Sequence, residues 1–276
     1  MKQLTVLFLT IINLSAFAQD DVTTLTKPII EEGKRLCQSE MASWYGTDLF
    51  IENYKDKANI GGYFSYTDNE IAKCIFFSKS DQPKVIGTIS FDSTYDTKNA
   101  KIDLAERAFT KIEYDLFAMR KIALASINSD TLFKYYKNTN LNLIPLIKGT
   151  EKKVYVLTGP EKNGVVIFGN DYLLTFDADN KLTSKKQLHK NIISINYGGN
   201  EGESAIHSHL PETGDFITST DICTLMLYGK FAKWKQNNVV SKNYLNVWNC
   251  ITNELTVIPM GIVEKINKDQ EKRNKK

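Results

Sequence analysis

The sequence is poor in histidine and cysteine and has almost no excess of charge. Its 276 residues include three histidines and four cysteines, and 35 Lys and Arg residues against 32 Asp and Glu residues leave a formal net charge of +3. A balance this even predicts neither a nucleic-acid partner nor an anionic membrane surface as a partner. The composition, with 42% hydrophobic and 24% charged residues, is that of an ordinary folded protein and excludes disordered, collagen-like and multi-span membrane chains.

Several signatures of well-known chemistry are missing. There is no Gly-rich phosphate loop, no dinucleotide-binding fingerprint and no G-x-S-x-G elbow, so the sequence predicts neither a nucleotide-dependent enzyme nor a serine hydrolase. There is also no C-x-x-C pair, which argues against a thioredoxin-like redox site and a cysteine-ligated zinc site. Two disulfides and four buried free thiols both stay open for the cysteines, which are Cys37, Cys74, Cys223 and Cys250.

The start of the chain has the features of a secretory signal peptide. Lys2 gives a positive end, the run 4–14 has the length of an apolar signal core, and Ala16-Phe17-Ala18 forms a cleavage site before Gln19. The run is shorter than the ~20 apolar residues of a membrane span, and no later segment reaches that length without charges. We therefore predict an exported chain, periplasmic or extracellular, with residues 1–18 removed and no integral membrane span in the mature part.

Residues 19–148 are predicted to form an α+β region, a helix followed by an antiparallel meander. The helical pattern follows Pro28 and is expected to end near Gly46. The spacing of apolar residues later predicts a helix over 100–128 and a short one over 131–136. Between the first two helices come three β-type runs separated by turn residues, 62–66, 71–77 and 85–91.

Residues 149–262 are predicted to form a second α+β region that is richer in strands. A helix is expected over 222–234 and a flexible glycine loop over 198–202. Residues 263–276 carry many charges and few apolar side chains, which is typical of a frayed tail or a solvated helix end. The predicted strands, each bounded by turn residues, are 154–157, 165–168, 172–176, 192–197, 244–250 and 255–259.

Two of the three histidines are spaced in a way that suits metal binding. His207 and His209 leave an apolar strand, and because alternate residues of a strand share a face, both imidazoles can reach one ion. Asp221 opens a helix shortly afterwards, where its carboxylate can turn back toward the same point. Two imidazoles and one carboxylate are a normal zinc set with a fourth position for water. The alternatives are a metal-free polar strand end and, for Asp221, a helix cap.

These residues resemble the signature of the JAMM/MPN family of zinc metallopeptidases, H-[ST]-H-x7-S-x-x-D. His207-Ser208-His209 matches its first part, and Thr218 and Asp221 match the last part after eight intervening residues instead of seven. The resemblance implies that His207, His209 and Asp221 bind one zinc ion. It also implies that Ser208 and Thr218 support the site through hydrogen bonds, and Thr218 is therefore a candidate catalytic residue.

The family has a glutamate upstream, in a segment like E-x-x-G-x-L-x-G, that serves as general base. Glu161 begins a similar segment that ends at Gly169, so the resemblance implies that Glu161 takes the proton from water at the zinc. The alternative is a solvated turn residue between two strands of a hairpin. Glu203 is a poorer substitute, and His189 is expected at the surface rather than as a fourth ligand.

The sequence thus favours an exported zinc-dependent hydrolase that cleaves an amide or isopeptide bond of a peptide or protein substrate through metal-activated water. The alternative is a non-catalytic exported protein that uses a JAMM-like scaffold for binding or structure. The position of Glu161 separates the two: a carboxylate near the histidine pair favours the enzyme, and a distant one at a hairpin tip favours the binding protein.

Overall fold

The structure is a computed structural model of the chain. It describes residues 2–198 and 204–274, and the side chains from residue 21 onward within those ranges. The predicted signal peptide, residues 1–18, lies outside the described side chains, and most of the predicted loop 198–202 lies outside the described residues. In the described part of the chain, no helix combines the length and the apolarity that a bilayer crossing requires.

The predicted α+β class is confirmed, because helices and largely antiparallel sheets share the chain. The helices are α1 (Lys2–Asn53), α2 (Lys111–Ser129), α3 (Ser219–Tyr228) and α4 (Met260–Asn274). The strands of the first half are β1 (Ile60–Asp68), β2 (Ile71–Ser78), β3 (Val85–Phe91), β4 (Lys101–Asp103), β5 (Thr139–Lys148), β6 (Glu151–Pro160) and β7 (Val165–Gly169). Those of the second half are β8 (Tyr172–Phe176), β9 (Leu182–Gln187), β10 (Ile192–Asn196), β11 (Ser204–Ser208), β12 (Gln236–Val240), β13 (Tyr244–Asn249) and β14 (Glu254–Pro259).

The strands pair into three four-stranded sheets and one two-stranded ribbon. Within the described residues, β1, β2 and β3 form the antiparallel meander that the sequence predicts, and β4 adds a fourth strand that was not predicted. A second antiparallel sheet has the order β5-β6-β8-β9, and β7 pairs only with β10. The last sheet has the order β11-β12-β13-β14, in which β11 and β12 are parallel and the predicted β13–β14 pair is antiparallel.

Helix α1 packs against β1, β2 and β3 of the first sheet and against α3. It includes Pro28, and the predicted end near Gly46 is wrong, since the helix continues to Asn53. Glycine at positions 33 and 46 serves close packing here. A Cβ atom at Gly46 would lie 2.6 Å from the Cβ of Cys74, and one at Gly33 would lie 2.7 Å from an Ile side chain of α3. Gly46 therefore marks a helix–sheet contact and not a helix terminus.

Helix α2 begins later than the predicted range 100–128. Its start is set by a capping box, in which Thr110 accepts from the backbone N–H of Glu113 and the Glu113 carboxylate accepts from the backbone N–H of Thr110. The residues before Thr110 include β4, which closes the meander. The predicted helix 222–234 is shorter as well, because α3 ends at Tyr228, and the predicted tail lies almost entirely in the exposed helix α4.

The predicted short helix 131–136 is wrong, because these residues form a turn. Asp130 caps α2 in an extended conformation, and its carboxylate accepts from the backbone N–H of Leu132, which fixes the turn. Strands β5, β9 and β12 were not predicted, because their sequences are polar or, in β5, contain Pro145. Since β5 is an edge strand, its proline removes no ladder hydrogen bond that the sheet needs.

The two predicted regions share one sheet and one core. The division at 148/149 falls at the turn of the β5–β6 hairpin, where Lys148 pairs with Glu151. A single buried cluster joins Phe64 of β1 and Leu116 of α2 to Val154 of β6. All four cysteines are free thiols, which decides between the two alternatives left open by the sequence.

Candidate metal centre

All three histidines of the chain lie in one site, where four segments meet. His207 is the next-to-last residue of β11 and His209 follows the strand, with the backbone N–H of His209 donating to the Val240 carbonyl of β12. Asp221 lies in the first turn of α3. His189 comes from the connection between β9 and β10, which the sequence placed at the surface. That expectation is wrong, because the His189 side chain is only 11% exposed and faces His209 and Asp221.

Three donor atoms form a compact triangle at this site. The His189 Nε2 and His209 Nε2 atoms are 3.4 Å apart, and the His209 Nε2 atom is 3.1 Å from Asp221 Oδ2. The third edge, from His189 Nε2 to Asp221 Oδ2, is 3.8 Å. Zinc holds nitrogen and oxygen ligands at about 2.0–2.2 Å in a tetrahedron, which places ligand atoms about 3.3–3.6 Å from each other. The triangle has these dimensions, and the three residues could hold a metal ion.

His207 lies against the same carboxylate from the other side. Its Nε2 atom is 3.5 Å from Asp221 Oδ1, and its ring packs on Phe168 with centroids 4.8 Å apart. Within the described residues, neither ring nitrogen of His207 has a hydrogen-bond partner, although the side chain is buried. Buried polar atoms normally have partners, and an ion or a water molecule could supply one for these nitrogens. The structure therefore brings together the predicted ligands His207, His209 and Asp221 and adds His189.

Asp171 orients the added histidine. Its Oδ1 atom lies 2.7 Å from His189 Nδ1 and also accepts from the His189 backbone N–H at 3.1 Å. With the Nδ1 proton held by this carboxylate, the lone pair of Nε2 can face His209 and Asp221. Carboxylates commonly fix metal-binding histidines in this manner. Asp171 follows a turn at Gly169 and Asn170, both of which have positive φ, and this turn is the local sequence signal for its position.

Thr218 positions Asp221 through a capping box at the start of α3. The Asp221 Oδ2 atom accepts from the Thr218 hydroxyl at 2.6 Å and from its backbone N–H at 3.0 Å. In return, the Thr218 hydroxyl accepts from the Asp221 backbone N–H at 3.1 Å. Capping the helix and facing the histidines are therefore compatible for this one carboxylate, and the helix dipole also favours a negative charge there.

The charges of the site are strongly coupled. Burial alone would raise the pKa of the Asp221 carboxyl, but His189, His207 and His209 outweigh it and hold that pKa well below its ordinary value. Burial likewise opposes a charge on His189, yet the carboxylates of Asp171 and Asp221 raise the pKa of His189 to about 9. Without an ion, His189 is thus protonated at neutral pH. A bound cation would replace that proton between two carboxylates.

The site opens into a cavity of about 140 Å³. His207 and Asp221 lie on one wall, and Ser208, Leu210 and Thr213 contribute to the lining. A side chain at Gly169, which also lines it, would place its Cβ 2.1 Å from the Asn191 carbonyl oxygen. Catalytic zinc sites keep one position open to water or substrate, and a cavity beside the donor atoms meets that requirement.

Glu161 does not lie among these residues. It follows β6 in an exposed connection, and its backbone N–H donates to the Asn138 carbonyl. Strand β7, at ~3.3 Å per residue, separates it from Phe168, which contacts His207. Glu161 instead lines a different cavity, with Trp44 among its walls. The second upstream candidate, Glu203, lies outside the described residues.

Comparison of the chain with protein-family models, curated proteins and solved structures gave no match.

Proposed function

We propose that this protein is a zinc-dependent hydrolase of amide or isopeptide bonds, with His189, His209 and Asp221 as ligands. The observation that supports this most is the triangle of donor atoms, with edges of 3.1, 3.4 and 3.8 Å, beside a cavity of about 140 Å³. The local resemblance to the JAMM/MPN signature points to the same chemistry. Zinc bound there would supply Lewis-acid activation of water at neutral pH.

The residues around the ligands have separate tasks in this proposal. Asp171 fixes the ring of His189, and Thr218 fixes the carboxylate of Asp221, so that neither ligand has to reorganise. Asp221 stays ionised, because the surrounding imidazoles hold its pKa low. The chain thus keeps two imidazoles and one carboxylate ready for a cation.

His207 takes the role of proton acceptor that the resemblance assigns to Glu161. It lines the cavity, and its ring nitrogens are free of hydrogen bonds to the described residues. In hydrolysis, the oxygen of water bonds to the carbonyl carbon, His207 accepts the water proton, and the same proton passes to the leaving nitrogen as the C–N bond breaks. Exposed Glu161, at the far end of β7, takes no part.

Paired variants test this assignment. His209→Ala is expected to abolish both zinc binding and hydrolysis. His207→Ala is expected to keep zinc affinity within about tenfold and to lower the hydrolysis rate by about 10²–10⁴-fold, the usual contribution of an acid–base group. Zinc affinity is measured by chelator competition, and hydrolysis with internally quenched peptides that contain either a peptide or an Nε-lysyl isopeptide bond.

The second candidate is a non-catalytic protein with a closed zinc site. The absence of Glu161 from the site favours it, as does the 3.5 Å approach of His207 to Asp221, because His207 would then be a fourth ligand. In that case His207→Ala weakens zinc binding as much as His209→Ala, and the unmodified protein hydrolyses none of the peptides. This result would overturn the hydrolase proposal and leave the zinc site in place.

A further inference from the structure

Arg120 of α2 carries a charge that the protein does not balance. Its side chain is partly buried, and burial lowers the pKa of its guanidinium. The guanidinium carbon lies 5.6 Å from the ring centroid of Tyr63, and Nε has no hydrogen-bond partner within the described residues. No carboxylate in that part of the chain comes within ion-pair distance of Arg120. A partly buried cation without a close counter-ion is incompletely solvated, so a bound anion would stabilise it.

The one carboxylate that acts on Arg120 from a distance is a weak counter-charge. The negative charge of Glu40 in α1 raises the pKa of Arg120 through space, but the two side chains form no ion pair. The Glu40 carboxylate instead accepts a hydrogen bond from the side-chain amide of Asn142 at 3.3 Å. Burial raises the pKa of Glu40 to about 7, so the group is only partly ionised at neutral pH. The positive charge of Arg120 is therefore largely uncompensated.

A cavity of about 230 Å³ lies beside this guanidinium, between α2 and the first sheet. Two further cations, Lys79 and Lys121, line it together with Arg120, and no carboxylate does. The Ser78 and Ser80 side chains add hydroxyl groups at the same wall. The apolar lining residues are Phe77 and Pro83 on the side of the first sheet and Phe117 and Leu124 of α2. A site that combines cationic and apolar side chains matches an amphiphilic anion.

We propose that this cavity binds a small organic anion, with its carboxylate or phosphate group against Arg120, Lys79 and Lys121 and its apolar body against Phe117 and Leu124. A cavity of about 150 Å³ accommodates benzene, so the space here suits a molecule the size of a single substituted ring or a short acyl chain. The planar guanidinium fork gives two parallel hydrogen bonds to either oxygen group. The anion supplies the counter-charge that the fold lacks.

This site is separate from the candidate metal centre, and its test does not depend on zinc. Calorimetric titration of the full chain uses benzoate, phenyl phosphate, benzyl alcohol and inorganic phosphate as probes. Both aromatic anions are expected to bind at least about tenfold more tightly than benzyl alcohol, which lacks the charge, and than inorganic phosphate, which lacks the ring. The stronger of the two aromatic anions identifies the headgroup. Equal binding of benzoate and benzyl alcohol, or binding of neither anion, would overturn the proposal.

Variants then assign the charge to Arg120. Arg120→Met is expected to weaken binding of the aromatic anion by at least about tenfold, and Arg120→Lys by less, since a charge without the planar fork remains. The matched control Arg273→Met, on the exposed helix α4, is expected to leave binding unchanged. Removal of a cation that forms no ion pair with the described residues should not prevent folding, which circular dichroism and urea unfolding of the variant test independently of zinc. Undiminished anion binding by a folded Arg120→Met variant would contradict the assignment.

Discussion

Two helices of this protein begin with the same capping box, and their acidic residues have opposite surroundings. At α2, Thr110 and Glu113 exchange hydrogen bonds between side chain and backbone, and at α3, Thr218 and Asp221 do the same. Both carboxylates are buried, with side chains 1% and 2% exposed. The two motifs thus share a threonine and an acidic residue three positions later, and the other groups that contact each carboxylate differ.

The Glu113 carboxylate is fully neutralised by protein groups. Arg107 donates to both of its oxygens, at 2.7 and 2.8 Å, and Tyr66 donates from its hydroxyl at 3.2 Å. Asp221 faces three imidazoles instead, and several of their nitrogens have no partner within the described residues. The permanent cation Arg107 neutralises Glu113. At Asp221 that charge has to come from an exchangeable cation, either a proton on an imidazole or a metal ion. A shared capping motif therefore says little about function, which depends on what faces the cap.

Replacing the Asp221 or the Glu113 carboxylate by the corresponding amide should give the largest difference in zinc affinity between the two capping boxes. Asp221→Asn removes an anionic ligand, so we expect zinc affinity to fall by about 10³-fold, more than loss of a supporting residue costs. Glu113→Gln, at the matched position of α2, should leave zinc affinity within about twofold. Chelator competition measures both. Unchanged zinc affinity in Asp221→Asn would place the metal, if any, elsewhere.

A third buried carboxylate, Glu40, has neither a cap nor a close cation, and its pKa is raised from 4.5 to about 7 chiefly by burial. Between these values the folded state binds more protons than the unfolded state. The free energy of unfolding should therefore fall as pH rises through this window, by about 3 kcal/mol in total from this group.

Glu40→Gln should remove that part of the pH dependence and raise stability above pH 7. Urea unfolding at pH 5 and pH 8 measures it, with Glu52→Gln, an exposed change in the same helix, as control. Equal pH dependence in the Glu40→Gln variant and the unmodified protein would show that Glu40 titrates normally.

The neutralised cluster should contribute to stability rather than to binding. Glu113→Gln leaves Arg107 without its bidentate partner, and because the Arg107 side chain is 34% exposed, solvent recovers part of the loss. We expect the free energy of unfolding to fall by about 2 kcal/mol. Adding Arg107→Met to Glu113→Gln should restore part of the lost free energy of unfolding, because no unpaired charge then remains. A double variant as unstable as the sum of the two single variants would show that the two side chains act independently.

The smallest expected effect concerns the group that supports a ligand. Asp171→Asn keeps the shape of the side chain but weakens its hold on His189, so zinc affinity should fall by about tenfold. Asp179→Asn, an exposed change in the β8–β9 turn, serves as the matched control and should have no effect. A loss as large as that of Asp221→Asn would mean that Asp171 is itself a ligand.

The sequence predicted the elements whose apolar residues repeat regularly. The meander of β1, β2 and β3 and the β13–β14 pair are confirmed, because runs of β-type residues bounded by turn residues mark them. Strands β9 and β12 escaped prediction because their sequences are polar, although each pairs with a strand next to it in the chain. Gly46 was misinterpreted, since only the sheet packed on α1 shows why a glycine is needed there.

The residues of the candidate site also divide into those that local sequence predicts and those that only the tertiary structure brings together. His207, His209 and Asp221 lie close together in the chain, so strand and helix geometry were enough to predict their approach. His189 and Asp171 arrive from two other connections, and only the pairing of β7 with β10 and of β8 with β9 brings them in. Glu161 is the opposite case, a residue that the sequence placed at the site and the structure does not. It begins a segment similar to that of the family, but it precedes the start of β7, and the site lies at the end of that strand.

The central claim, and the basis of the proposed function, is that His189, His209 and Asp221 could together hold one metal ion, which we propose to be zinc. The most direct test is the zinc content of the full chain, purified without chelators and then titrated with zinc, beside the His209→Ala variant. We predict close to one tightly bound zinc ion per unmodified chain and none in the variant. An unmodified chain that contains no zinc and binds none when it is added would contradict the account.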